Sequence, residues 1–177
     1  TTFEELIGGF IARQEEEDAP HNLLGLMLRA RDPETGERLS TDVLYQEILA
    51  VIVAGHETTS LALTWTLYLL SVHAESARRV AAEIDEVLGE RVPTAGDAKS
   101  LPYLNAVLCE SMRLFPPAWM FSREAVAEDW VDGFRVAKGT QMLMSPWVLH
   151  RNPDVWENPE GFDPERFLGE PPPERHK

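Results

Sequence analysis

Ala54-Gly55-His56-Glu57-Thr58-Thr59 lies in the middle of a long apolar run, between Ile48-Leu49-Ala50-Val51-Ile52-Val53 and Leu61-Ala62-Leu63-Thr64-Trp65-Thr66-Leu67-Tyr68-Leu69-Leu70. The run has no polar stripe, so a helix formed from it is expected to be buried all round. Its centre nevertheless carries a glycine, a histidine, a carboxylate and two adjacent hydroxyls. A buried carboxylate costs several kcal/mol unless it is paired or neutralised. Two readings of these residues stand side by side. In the plainer one, Glu57 bonds to a neighbouring group and Thr58 bonds back to a helix carbonyl. In the other, Gly55 beside back-bonding hydroxyls kinks or widens the helix and leaves a groove for a small ligand. The acid and hydroxyl then suit delivery of protons to that ligand in a dry pocket.

Outward from this stretch, helical periodicity prevails. Ser40 or Thr41 is placed to cap the central helix, and Asp42 suits its positive first turn. The helix is expected to reach about Val72, roughly 45 Å at 1.5 Å per residue. Before it, Phe3, Leu6, Ile7, Phe10 and Ile11 recur at helical spacing until Glu15-Glu16-Glu17-Asp18 and Pro20. A second short helix is predicted over Leu23 to Ala30, and Asp32-Pro33-Glu34-Thr35-Gly36 has the composition of a turn. After the central helix, Ala77, Val80, Ala81, Ile84, Val87 and Leu88 form a one-sided stripe that Gly89 can close. Pro93 to Pro102 reads as a loop with room for one helical turn. Leu104, Val107, Leu108, Met112 and Phe115 form another stripe, halted by Pro116-Pro117.

Past the prolines the period changes from helix to strand. Trp130-Val131-Asp132-Gly133-Phe134-Arg135-Val136 places an Asp-Gly turn between short apolar segments, a hairpin signal. Lys138-Gly139 turns again into Thr140 to Met144, and from Asn152 onward prolines and glycines preclude long elements. The expected class is mainly α with a small β subdomain: helical over 1–117, hairpin and strands over 118–145, irregular over 146–177.

The 177 residues are 44% hydrophobic, enough for a core, and carry a net charge of −14. That balance argues against a nucleic-acid partner or an anionic membrane surface, both of which need clustered basic charge. The uncharged piece Thr58 to Val72 is shorter than the roughly 20 residues of a span, and His56-Glu57 would sit at bilayer depth. No membrane association is therefore expected, and a cytoplasmic location is. A single cysteine, Cys109, provides neither a disulfide nor a multi-cysteine zinc site; it reads as a small core residue. His56-Glu57 matches the start of a helical zinc-protease box, but the required second histidine is replaced by Ser60, which argues against a zinc hydrolase. Glu110 and Arg113, three apart, fall off the Leu104/Leu108/Phe115 stripe. Periodicity alone reads them as an exposed pair worth a few tenths of a kcal/mol.

Three motifs together resemble one family. Ala54-Gly55-His56-Glu57-Thr58-Thr59 is similar to the oxygen-binding signature Ala/Gly-Gly-x-Asp/Glu-Thr-Thr/Ser of the cytochrome P-450 family. Glu110-Ser111-Met112-Arg113 resembles its Glu-x-x-Arg helix and is followed by Leu-x-Pro-Pro. Phe162-Asp163-Pro164-Glu165-Arg166-Phe167 resembles its meander motif. The order and spacing match over essentially the whole chain. The implied fold is a partial cytochrome P-450 fold, one partial domain of a larger haem-monooxygenase.

By this resemblance the central helix crosses the distal face of a haem (iron protoporphyrin IX, haem b), with Ala54, Gly55 and Thr58 close to the ring. Glu57 and Thr58 are the implied catalytic pair, relaying protons to dioxygen so that O–O cleavage wins over peroxide release. Arg123 is the implied partner of a haem propionate. Ala118, Trp119 and Met120 fall where the family's chain contacts substrate. Glu110, Arg113 and Arg166 are implied as a buried structural network, against the exposed-pair reading. The family's iron is held by a cysteine thiolate in a loop after the meander motif. That loop is expected beyond Lys177, so no metal ligand is assigned in this chain and Cys109 is not given the role. The implied activity is oxidation, typically hydroxylation, of a small organic substrate with dioxygen. Electron transfer comes from a redox partner, a ferredoxin or a flavoprotein reductase. The chain opens on Thr1 and reads as an excerpt of a longer protein; alone it is expected to be inactive, or to act as a non-catalytic structural or interaction fragment.

Overall fold

The computed structural model describes residues 2–15 and 22–169. The acidic run 16–18, Pro20 and Pro171 to Pro173 lie outside the described residues. Two compact units are present, residues 1–57 and 58–177.

The first unit holds α1 (Phe3–Glu15), α2 (Leu23–Arg29) and the start of α3 (Thr41–Val72). Ile7, Leu44 and Ile48 form its core, with Ile11, Leu24, Met27, Leu28, Tyr45 and Leu49 packed around them. The side chain of Asn22 caps α2 by accepting from the Gly25 N–H at 2.9 Å. Its amide donates to Oε1 of the buried Gln14 at 2.5 Å. Asp32 organises the next turn: its Oδ1 accepts from the backbone of Glu34 and Thr35, both at 2.8 Å. Those two backbone donors hold the Asp32 carboxyl below its ordinary range. Of the two candidate caps, Ser40 caps α3, its Oγ accepting from the Val43 N–H at 3.3 Å.

The helix α3 is continuous over 32 residues, about 48 Å by helix rise. Gly55 does not interrupt it. By length and composition alone it is long and apolar enough to cross a membrane, and 6% of its most apolar 18-residue stretch is buried.

The second unit is built around α5 (Pro102–Leu114), which packs on α4 (Ala74–Leu88), on α6 (Pro146–Leu149) and on a 3-10 turn at Pro164–Phe167. Val80, Tyr103 and Val107 are its buried apolar centre, joined by Leu70, Ile84, Leu104, Phe162 and Leu168. Trp65 of α3 stacks on Phe115 at the end of α5, with ring centroids 4.2 Å apart. Pro102 opens α5 without a side-chain cap of its own. Glu83 from α4 takes that role, accepting from the backbone N–H of Tyr103 at 2.8 Å and of Leu104 at 2.9 Å. The loop before α5 contains a 3-10 helix, Ala95–Ser100, closed by a capping box between Thr94 and Asp97.

Two antiparallel ribbons follow α5. One is a hairpin, β2 (Asp129–Val131) with β3 (Phe134–Val136). Its turn residues Asp132 and Gly133 have φ of 48° and 79°, the positive pair that a type I′ turn requires. The other pairs β1 (Phe121–Glu124) with β4 (Gln141–Met144), from Phe121 opposite Met144 to Glu124 opposite Gln141.

Candidate functional site

Residues 54–58 sit near the middle of α3, and every residue from Val51 to Ser60 is exposed. The expected all-round burial of this helix is therefore corrected. An apolar run states a demand for cover, and the cover must come from other packed elements. Within the helix, Ala54 and Thr58 fall on one face with Gly55 beside them. A Cβ built on Gly55 would meet no atom within 4 Å. Three small residues on an apolar helix make a shelf that fits a flat, largely apolar ring, with Glu57 and Thr58 as its polar components. Further along, threonines bond back to the helix: Thr64 Oγ1 to the Ser60 carbonyl and Thr66 Oγ1 to that of Ala62, both at 2.7 Å. The chain's one thiol, Cys109, is exposed on α5. This corrects its reading as a core residue: the buried side of α5 is Tyr103, Ala106, Val107, Glu110, Ser111, Arg113 and Leu114, and Cys109 falls off that face. Among the described residues no cluster of three or more His, Cys, Asp or Glu side chains is arranged to hold a metal ion.

Glu110 and Arg113 are the opposite case. Their side chains are 0% and 1% exposed, so the periodicity-based reading of a surface pair is corrected. Arg113 forks onto Glu110 through Nε to Oε2 at 2.7 Å and Nη2 to Oε1 at 2.8 Å. Its remaining hydrogens go to backbone carbonyls. Nη1 donates to His150 at 2.8 Å and to Pro159 at 2.7 Å, and Nη2 to Gly161 at 3.0 Å. All five guanidinium N–H groups are thus used, which satisfies the condition under which a buried charge persists. Glu110 Oε1 also accepts from the Asp163 N–H at 2.9 Å and from Arg166 Nε at 3.1 Å. Arg166 in turn donates to the carbonyls of Glu157 at 2.9 Å and Asn158 at 3.3 Å. Three charged side chains thereby fix the path of the irregular segment 157–163, the two arginines by holding its carbonyls and Glu110 by holding the Asp163 N–H.

Several members of this assembly have no sequence signal. His150 Nδ1 donates to the Arg113 carbonyl at 3.2 Å, and Arg151 Nη2 to that of Leu114 at 2.7 Å, so the last two carbonyls of α5 are capped from the segment after α6. Trp156 lies under the Arg113 guanidinium, 5.1 Å from ring centroid to Cζ. Burial pushes the His150 imidazole pKa down from its ordinary value, as do the nearby Arg113 and Arg151 charges.

Arg123 stands on exposed strand β1, with Nη1 donating to the Ser122 carbonyl at 2.9 Å and the guanidinium 5.2 Å from the Phe121 ring. Ala118, Trp119 and Met120 are exposed in the segment before β1. The carbonyl of Trp119 accepts from Ser145 Oγ at 2.9 Å, tying that segment to the start of α6.

Comparison with known proteins assigns the class. The cytochrome P450 family pattern matches residues 4–177, and the chain belongs to that family. The cyclooctat-9-en-7-ol 5-monooxygenase of Streptomyces melanosporofaciens is 42% identical over 167 residues, which are 94% of this chain and 36% of the relative. Human cytochrome P450 4V2 is 41% identical over 86% of this chain and 29% of its own length. Among solved structures, retinoic acid bound cyanobacterial CYP120A1 matches at a TM-score of 0.88 and 35% identity, over 96% of this chain and 39% of that one. The chain thus spans about a third of the length of the curated relatives it matches. Its mainly helical architecture with small ribbons is a partial cytochrome P450 fold. The family's cofactor is haem, and the small-residue shelf on α3 fits it.

Proposed function

We propose that the full-length protein carrying this chain is a haem-thiolate monooxygenase that oxidises, typically by hydroxylation, a small organic substrate. The carrying observation is the family match across residues 4–177 together with 42% identity to a named monooxygenase. In the net reaction one oxygen atom of dioxygen enters the substrate and the other leaves as water. Two electrons from a ferredoxin or flavoprotein reductase and two protons complete the balance. Haem, when bound, supplies the redox chemistry, and its thiolate ligand comes from outside this chain.

The chain's own residues supply contact, orientation and protons. Ala54 and Gly55 let the ring approach the α3 backbone. Thr58 orients the proton donor through its hydroxyl, and Glu57 holds the next proton. Arg123 neutralises a ring carboxylate, and Ala118, Trp119 and Met120 form part of the substrate wall. Glu110, Arg113 and Arg166 hold the segment that leads toward the thiolate loop. The two units belong to one partial domain of the larger fold. We place the protein in the cytoplasm. His56 and Glu57 lie at the midpoint of α3, where a bilayer would charge about 2.5–3.5 kcal/mol for an acid, so α3 serves as a core helix and not a span. The isolated chain is inactive, because its only thiol is on α5.

Thr58→Ala in the full-length enzyme is the test. Peroxide released per electron pair consumed rises and product falls, at unchanged substrate binding. Unaltered coupling would remove Thr58 from the relay.

A further inference from the structure

The contacts between α5 and the segment after α6 are reciprocal at one place. The Arg113 guanidinium donates to the His150 carbonyl at 2.8 Å, while the His150 ring donates to the Arg113 carbonyl at 3.2 Å. A carbonyl can only accept, so the ring proton is on Nδ1 and the neutral ring keeps Nε2 bare. Arg151 adds a parallel bond to the Leu114 carbonyl at 2.7 Å. The ring stands edge-on to Trp156, at 6.0 Å between centroids.

We propose that His150 is a positioning residue: its neutral ring locks the end of α5 to segment 150–161, and protonating it loosens that junction. Burial sets the direction, against the bond to the Arg113 carbonyl, which favours the charged ring, and the surrounding charges add to it. From α5 it faces Arg113, whose charge is matched by Glu110, which also receives Arg166. From its own segment it neighbours Arg151, paired with Glu160 at 3.1 Å. Both carboxylates are already engaged by three arginines, so a proton on Nε2 adds a fourth cation to the cluster without adding an anion. The bonds to the Pro159 and Gly161 carbonyls pass through the same Arg113 side chain, so loosening at His150 reaches the whole loop.

The sign follows from linkage. The folded-state pKa of His150 lies below its ordinary 6.5, so the unfolded or opened form binds the proton first. Stability from this site is complete above pH 6.5 and is lost as pH falls through 6.5 toward the folded value. One group changes the opening equilibrium by at most about tenfold per pH unit.

Hydrogen exchange by mass spectrometry on the full-length protein tests this, with intrinsic rates corrected for pH. Between about pH 7.5 and about pH 5.5, protection of amides 150–161 falls in the wild type by up to about tenfold per pH unit. His150→Asn keeps a donor near the Nδ1 position and cannot titrate; its protection stays flat over that range. Parallel profiles in the two proteins, or a flat wild-type profile, would overturn the proposal. Should His150→Asn fail to fold, NMR titration of His150 in the wild type decides. Loss of protection at amides 150–161 in step with titration of the ring supports the lock, and protection that does not follow the ring's titration refutes it.

Discussion

Replacing Arg113 by lysine keeps the charge and removes the fork, so it isolates what the guanidinium geometry contributes. Arg113 donates five hydrogen bonds, two to Glu110 and three to the carbonyls of His150, Pro159 and Gly161. An ammonium has three donors. At least two acceptors around a side chain that is 1% exposed lose their partner. At about 1–3 kcal/mol for each unsatisfied buried acceptor, Arg113→Lys costs about 2–6 kcal/mol. Arg113→Met removes one partner of a buried pair, a loss of about 3–5 kcal/mol. Glu110 then keeps only the Asp163 N–H and Arg166 Nε as donors. The assay is urea unfolding of the full-length protein, comparing midpoints at constant slope. A cost for Arg113→Lys below about 1 kcal/mol, the range of an exposed ion pair, would refute the reasoning. It would mean that the guanidinium's contacts are replaced by water.

Asp97 accepts from Arg91 Nη2 at 2.6 Å and Nη1 at 2.8 Å, and from the Thr94 N–H at 2.7 Å. Arg91, then the Thr94 backbone, hold its carboxyl well below the usual carboxylate range. For a lowered acid the stabilisation is present above the ordinary 3.8 and lost as pH falls below it. Asp97→Asn therefore flattens the acid limb of a stability-versus-pH curve below pH 3.8, and an unchanged limb would refute the assignment. Glu83→Gln leaves one oxygen to serve two N–H groups and removes the charge at the start of α5. Thermal unfolding is expected to show a loss of about 1–2 kcal/mol, and no loss would show that water caps α5 equally well.

What the sequence made legible depended on how local the physics was. Asp132-Gly133 announces its hairpin because the turn needs two positive φ values that few residue pairs accept. Gly89 ends α4 for the same reason, with a φ of 57°, and Ser40, one of two candidate caps, opens α3 through its side-chain oxygen. The burial of Glu110 and Arg113 was not legible from periodicity. Their partners include carbonyls of residues 37 to 48 positions away, and a carbonyl carries no side-chain signature. The stripe read from Leu104, Val107, Leu108, Met112 and Phe115 includes the buried Val107 but misses the part of the buried face that carries Glu110 and Arg113. Met112, assigned to the core, is 40% exposed, while Glu110, off the stripe, is 0% exposed. Only the resemblance, which carries a whole fold's arrangement in three short motifs, pointed the pair inward.

The central helix makes the complementary point. Val51, Ile52, Val53, Leu63, Leu67, Tyr68 and Val72 are all exposed apolar residues of α3, and an isolated soluble helix does not gain by presenting them to water. A bilayer is a poor cover, since Glu57 is the seventeenth of the 32 residues of α3 and would lie at bilayer mid-depth. The pattern fits a protein core that supplies apolar contact on most sides and one polar opening at Glu57 and Thr58. Such a core needs more elements than this chain provides, in keeping with relatives of which it spans 36% and 29%. The second unit, by contrast, satisfies the charged side chains of α5 with its own segment 150–166. The Glu110 network is therefore a property of the chain itself. The proton relay proposed for Glu57 and Thr58, by contrast, would need the cover that α3 lacks here.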